Sequence, residues 1–576
     1  MRRFVMLILV AVLGTALVPG ASTRAAGSFT FYGSGNGHGL GMSQWGAYGL
    51  ANAGWSYQRI LKHFYRGTSI TSQIALPRKI RVGLTYEQEA VHLRAKDGPV
   101  ELWLTEPLTG KRLGRIPRGK TWQVKAAADG YAIRDHDGVL LGGRTWGGPA
   151  FHLFATYEAD GARVHIREAD AIYGRGFSYS RGYVEFNLYR CDSGCRERLI
   201  VVLGFEGYLY GLGEVPSSWP VEALRAQATA ARSYAAHVLK RYGVRGYCNC
   251  DITDGAGDQV YVGYAKEGGP NGARWVDAAR DTRGRVIAYD GRVIQAFYAS
   301  SDGGHSENVE DVWHGGDPAY AIPWLRGVCD PGESTSANPW TEWSKSLSAS
   351  DVTSRLRPYT GDIGTVSAFT DFERGQSGRV IRVRVRGGQG SATVSGSTIK
   401  TALGLWDTRV WVNSDRNILG EIRETYDRAM CRPGLPVSKR ITFAHGVHQR
   451  FEVGSISRND QANVTVWLKG AIDVEYRAVG GPNGRLGLPT SKVKGLGCPS
   501  CARIVFERGR IFWKGSVGAF ALWGSVLGAY LDAGGPGGSL GYPTSRPSKD
   551  GAGALSATFQ HGSITCPGGG SCSVSG

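Results

Sequence analysis

Beyond its first two dozen residues this 576-residue chain has no apolar run long enough to cross a bilayer, which argues against later helical membrane spans. Long stretches of helical periodicity are also scarce. Only one stands out, so a helical bundle is excluded as the main architecture. Acidic residues are in the minority, 49 Asp and Glu against 67 Lys and Arg, leaving a net charge of +18. That excess favours anionic partners. No basic helix or RNA-binding motif accompanies it, so nucleic acid is not the expected partner. The Gly-rich stretch near residue 37 lacks the lysine and hydroxyl of a phosphate-binding loop.

The amino terminus has the three-part layout of a secretory signal. Met1-Arg2-Arg3 is basic, Phe4 to Val18 is apolar, and Pro19-Gly20 ends the run. Thr23-Arg24-Ala25 offers a cleavage site, so residues 1–25 are expected to be removed. An uncleaved anchor is the other reading. Losing Arg2, Arg3 and Arg24 lowers the net charge to +15. The mature protein is then expected outside the membrane, where a cationic surface meets cell-wall polymers before nucleic acid.

A chain this long exceeds one ordinary core and implies two or three domains. Its 85 glycines, abundant Tyr and Trp, and short alternating strands such as "KIRVGLTY", "GYVEFNLY" and "VIRVRVRG" indicate an α+β, mostly β fold with many turns. Ten cysteines in an exported chain point to disulfides. Their order suggests the pairs Cys191–Cys195, Cys498–Cys501, Cys566–Cys572 and Cys329–Cys431. Cys248 and Cys250 would close an awkwardly small ring. Reading Cys498-Pro-Ser-Cys501 as a zinc site lacks a second pair at the required spacing.

The clearest internal signal is a repeat. "GGPNGRLGLPTS" at Gly480–Ser491 returns 54 residues later as "GGPGGSLGYPTS" at Gly534–Ser545, each preceded by a tyrosine, Tyr476 and Tyr530. "FERG" at Phe506 is echoed by "FQHG" at Phe559, with "FAHG" at Phe443 as an earlier partial copy. Units this small stack to share a core. The pattern resembles LGFP repeats, which implies a cell-wall-binding module over 431–576.

The strong helical stretch begins at Pro220 and runs to about Tyr242. Ser217 or Ser218 is the expected cap, and Glu222 complements the positive end of the helix dipole. Val221, Leu224, Ala228, Ala231, Ala235 and Val238 form an apolar stripe, its alanines requiring close packing. Glu214 lies on the turn before this helix. A carboxyl desolvated there can hold its proton near neutral pH, provided that burial outweighs the helix dipole.

The stretch "EGYLYGLGEVPSSWPVEALRAQATAARSYA" resembles the signature of the SpoIID/LytB family. "DQVYVGY" at Asp258, "SSDGGHSENVEDVW" at Ser300 and "SGNGHGLGMSQWGAYGLANAGWSYQRILKHFYRGT" at Ser34 match further family blocks. The resemblance implies a core over 27–430, with a β-rich segment inserted at about 70–175 and one long helix behind a glycan cleft. It implies a lytic transglycosylase acting on peptidoglycan glycan strands. Glu214 would protonate the glycosidic oxygen and then accept the proton of the sugar's C6 hydroxyl, which attacks the anomeric carbon. Such a reaction needs one carboxyl group, not the usual pair.

Carried over residue by residue, Arg232 would hold substrate or orient the acid. His38, Ser43, Gln44, Gln259, Tyr261, His305, Glu307 and Asn308 would line the cleft, with Glu307 as the second-choice acid. LytB-type relatives imply another reading, a non-catalytic enhancer of a wall amidase; a third is a purely adhesive wall protein. Two departures stand out. The "GHGLGMSQWGA" block precedes the "EVP" block here, which requires the two ends of the core to lie close together. Some relatives bind zinc near "QVY", but the cysteine usually placed before that glutamine is missing, so no metal or cofactor is expected.

Overall fold

A computed structural model describes residues 27–148, 151–157, 161–169, 175–189, 191, 194–551, 553–568 and 570–576. The expected signal peptide lies outside them. The fold is mostly β, 35% strand and 25% helix. Among the described residues no helix is long and apolar enough to cross a membrane.

Two sheets dominate the first half. A seven-stranded sheet runs in the order Ile252–Thr253, Lys79–Gln88, Arg196–Gly204, Tyr183–Tyr189, Leu153–Thr156, Val100–Leu104, Lys111–Ile116. A five-stranded sheet follows the order Phe177–Tyr179, Arg163–Ile166, Ala90–Lys96, Thr121–Ala127, Gly130–Arg134. Alternate residues such as Val91, Leu93 and Ala95 point into a shared core with Val184, Phe186, Leu199 and Val201. The 70–175 stretch does not stand apart from the rest: Lys79–Gln88 pairs along Arg196–Gly204, with Val82 opposite Val201.

The helices of this part of the chain pack against this core and build a second cluster with Leu50, Ile60, Phe64 and Val309. They are α1 (Gln44–Asn52), α2 (Tyr57–Phe64), α3 (Phe205–Tyr210), α4 (Val221–Tyr242), α5 (Tyr264–Glu267), α6 (Gly272–Asp281) and α7 (Val309–Trp313). Helix α4 is buried on nearly every side. Leu224, Ala228, Ala231, Ala235 and Val238 are sealed, whereas Val221 at its start is 43% exposed. Its alanines admit α1, α2 and α6 at close range, the reason for so plain a sequence. Contrary to expectation neither Ser217 nor Ser218 caps it. Pro220 occupies that position without a side-chain bond, and the Leu224 N–H donates back to the Pro220 carbonyl.

The amino-terminal block is stitched into later parts of the chain. Strand Ser28–Gly33 lies between Trp343–Ser348 and Val410–Val412, with Phe31 facing both Lys345 and Val412. Met42–Ser43 pairs in parallel with Tyr298–Ala299. The unusual block order is therefore accommodated because the early and late segments share sheets.

All ten cysteines are paired: Cys191–Cys195, Cys248–Cys250, Cys329–Cys431, Cys498–Cys501 and Cys566–Cys572. The small Cys248–Cys250 ring closes because Asn249 between them takes a left-handed backbone, φ 51°.

The carboxy-terminal region is three four-stranded sheets with hairpins at Phe443–Gly446, Phe506–Gly509 and Phe559–Gly562. The repeat is physical as well as textual. Tyr476 donates to the Gly487 carbonyl and stacks on Phe506 at 4.8 Å; Tyr530 donates to Gly541 and stacks on Phe559 at 4.7 Å. Each unit thus lends an aromatic ring to the next one's core.

Candidate active site

Glu214 sits on the turn between α3 and α4, half-buried. The Val260 N–H donates to its Oε1 at 2.7 Å and the Tyr298 hydroxyl donates to the same oxygen at 3.1 Å. The Gln44 side chain, at the first position of α1, also hydrogen-bonds it. These contacts and the Lys266 ammonium favour the carboxylate, but desolvation outweighs them and pushes the Glu214 carboxyl above its ordinary range. With two donors crowding Oε1, the proton of the neutral acid belongs on Oε2.

The surroundings are ordered in layers. Gln259, fully buried, accepts from the Tyr208 hydroxyl at 3.0 Å and donates to the Tyr298 oxygen at 2.8 Å and the Ala231 carbonyl at 3.2 Å. It therefore orients Tyr298, and through it Glu214, without facing the open side. Lys266 donates to the Val215 carbonyl. Burial brings its ammonium down to about 8, with Glu214 opposing the drop. An aromatic cluster adjoins the acid in sequence: Trp45, next to Gln44, lies 4.8 Å from Trp219, and Tyr48 lies 5.1 Å from Trp219. Trp45 and Tyr48 are only half-buried, which leaves ring faces for a sugar.

Several expected site residues are placed elsewhere. Arg232 has no exposed surface. Its guanidinium is held by Glu206 at 3.0 Å and by the carbonyls of Ala279 at 2.9 Å and Arg285 at 3.2 Å. It ties α4 to α3 and α6 and cannot touch a substrate, because the AARSY face of α4 turns inward. Tyr261 is 3% exposed, stacked on Tyr208 at 5.1 Å, so it supports the site from beneath. Ser43 caps α1 by accepting from the Gly46 N–H at 3.0 Å, and its hydroxyl donates to buried Glu333. Neither role leaves it free for a ligand.

The "GGHSEN" residues are likewise turned inward. Glu307 has no exposed surface and accepts from the Ser377 hydroxyl at 2.6 Å and the Asn308 N–H at 3.0 Å. His305 shares its Nδ1 with the Ser306 carbonyl at 2.6 Å, and burial lowers its imidazole to about 4. Asn308 bridges Asp311 and the Gly327 N–H, both at 2.9 Å. His38 borders a different hollow, a cavity of about 440 Å³ lined by Trp313, Arg379, Arg382, Ser395 and Lys400. Phe297 lies 6.1 Å from His38, and its chain neighbour Tyr298 reaches Glu214. The cysteines nearest Gln259 are joined to each other and offer no thiolate to zinc.

Sequence reasoning missed Tyr298, Lys266, Trp45 and Trp219. The two tryptophans lie inside quoted motifs, each near a named residue. Tyr298 and Lys266 come close only through the fold.

Comparison with known proteins identifies two parts of the chain. The family model described as "Stage II sporulation protein" (SpoIID) matches residues 194–289, which span Glu214, α4 and Gln259, and the LGFP repeat model matches residues 486–538. The chain therefore carries a SpoIID-family domain followed by LGFP repeats. An uncharacterized protein of Brachyspira hyodysenteriae is 31% identical over 196 residues, covering 33% of this chain and 49% of that protein. The amidase enhancer of Bacillus subtilis is 32% identical over 160 residues, covering 28% and 19%. Stage II sporulation protein D of Bacillus subtilis is 27% identical over 210 residues, covering 35% and 57%. The chain thus spans between 19% and 57% of the length of these relatives.

Proposed function

We propose that this is an extracytoplasmic cell-wall protein whose SpoIID domain cleaves peptidoglycan glycan strands by lytic transglycosylation, while its LGFP repeats hold it to the wall. The observation that carries this reading is one half-buried carboxyl, Glu214, kept toward its neutral form by desolvation and contacted by Gln44, whose chain neighbour Trp45 is half-exposed. Neutral Glu214 donates its proton to the glycosidic oxygen as the bond to the anomeric carbon breaks. The resulting carboxylate, now stabilised by Val260 N–H and Tyr298, takes the proton of the sugar's C6 hydroxyl. That oxygen bonds to the anomeric carbon and leaves a 1,6-anhydro end, so Glu214 is regenerated and no water is consumed. Gln259 acts by positioning, through Tyr298, while Arg232 braces the fold.

A second reading, enhancement of a wall amidase without cleavage, is favoured by the 32% identity to the Bacillus subtilis amidase enhancer. One experiment separates the two. Mature protein is incubated with peptide-free glycan strands and the products are weighed by mass spectrometry. Anhydro-muramic ends support the cleavage reading. Intact strands, together with faster stem-peptide release when a wall amidase is added, overturn it in favour of the second.

A further inference from the structure

Three carboxylates lie together in the interior away from Glu214: Asp302, Asp330 and Glu333, exposed by 1%, 0% and 1%. One oxygen from each falls within 4.8 Å of the other two. Glu333 is satisfied by neutral donors, the hydroxyls of Ser43 and Ser301 and the Asp302 N–H. Asp302 and Asp330 each use only Oδ1, accepting from the Gly304 N–H at 2.8 Å and the Gly332 N–H at 2.9 Å. Their Oδ2 atoms are buried and have no hydrogen-bond partner.

Nor do the nearby cations neutralise them. Arg379 and Arg423 donate to the backbone carbonyls of Asp302 and Asp330, while their charges are matched by Asp407 at 2.9 Å and Asp427 at 2.7 Å. Among the described residues none of the three carboxylates is ion-paired. Burial, and then repulsion from neighbouring carboxylates, pushes Asp302 and Asp330 far toward the neutral acid. Two carboxylates that each keep an orphan oxygen, clustered with a third in a dry interior, are an arrangement that a positive ion resolves.

We propose that Asp302, Asp330 and Glu333 form a buried binding site for a divalent, oxygen-seeking cation of calcium size. The donor set is all oxygen, which suits hard cations over zinc or copper. Magnesium gives up its water reluctantly and is seldom held in an all-protein cage, so a dry cluster of carboxylates suits the larger, more adaptable calcium ion. The site lies where separate segments meet. Asp302 belongs to the "SSDGGH" block, Asp330 and Glu333 follow Cys329, and Glu333 grips Ser43 at the start of α1. Gly46 has no side chain there because a methyl group would sit 1.8 Å from Asp330 Oδ2. An ion would brace the segment that delivers Gln44 to Glu214, whatever that carboxyl does to substrate.

The test uses the full mature chain, stripped with a chelator and then titrated with Ca²⁺ alone, with Mg²⁺ in a parallel arm. Native mass spectrometry should count one Ca²⁺ per chain. At about 100-fold excess over the dissociation constant, the melting temperature should rise by a few degrees. Asp330→Asn and, separately, Asp302→Asn should lose both the bound ion and the rise, while the ion-free melting temperature holds or increases as repulsion is relieved. No bound calcium in the wild type, a response to Mg²⁺ alone, or a full response in both variants would overturn the assignment in favour of carboxyls sharing protons.

Discussion

Replacing Arg232 with alanine should damage the fold more than the chemistry. The guanidinium makes a forked pair with Glu206, with Nε and Nη2 each 3.0 Å from a carboxylate oxygen, and spends its other donors on the Ala279 and Arg285 carbonyls and Thr282. Truncation strands the Arg285 carbonyl, leaves the Ala279 carbonyl only its weaker bond from the Thr282 hydroxyl, and opens a void beside α4. Breaking a buried pair costs about 3–5 kcal/mol. Glu206 keeps 20% of its side chain exposed and retains the Gly284 N–H at 3.0 Å, so the lower end, about 3 kcal/mol, is expected. Against the roughly 5–15 kcal/mol that holds a typical domain together, such a loss is large. Urea unfolding should show the midpoint falling sharply in Arg232→Ala and part-way in Arg232→Lys, which keeps the charge but not the fork. Glycan cleavage per folded molecule should stay near wild type. A stability loss below about 1 kcal/mol with collapsed specific activity would refute the reasoning and put Arg232 back beside the substrate.

Tyr298→Phe removes a donor to the Glu214 carboxylate, raising that carboxyl further, so the alkaline limb of kcat/KM should move to higher pH; a limb that stays or moves down contradicts the assignment. Burial pushes Asp254 up to about 8, so the unfolded chain sheds this proton first and stability falls as pH climbs from about 4 to 8. Asp254→Asn should therefore raise the melting temperature at pH 8 and change little at pH 4; equal shifts at both would contradict it. Removing residues 480–576 should weaken co-sedimentation with purified walls, and undiminished pelleting would argue against tethering by the repeats.

The turn at Glu214 and the long helix after it were legible because their signals are contiguous, a Pro-containing turn and an alanine-rich stretch, whereas the short helix α3 between the apolar strand and the turn was not. The repeat was legible for the same reason, and Tyr476 and Tyr530 proved to make equivalent bonds. What failed was direction. Arg232 lies three residues from Thr229 and four from Ala228, yet only the packing of α3 and α6 decides which way its long side chain turns. In sequence Ser43 looks like a loop hydroxyl facing a ligand, although a serine one residue before a helix equally describes a cap. His305 and Glu307 fell in a recognisable motif, but a motif does not reveal that their polar atoms are consumed by Ser306 and Ser377. Tyr298 was invisible because its place beside Glu214 depends on a two-residue parallel pairing with Met42–Ser43.

The central claim is that the Glu214 proton drives glycan scission. Glu214→Gln preserves shape and removes only that proton, so its single-turnover rate on peptide-free strands, measured with its circular dichroism matched to wild type, is the most direct test. The account predicts a fall of about 10²–10⁴-fold in anhydro-end formation. A folded Glu214→Gln protein that releases these ends at the wild-type rate would contradict it.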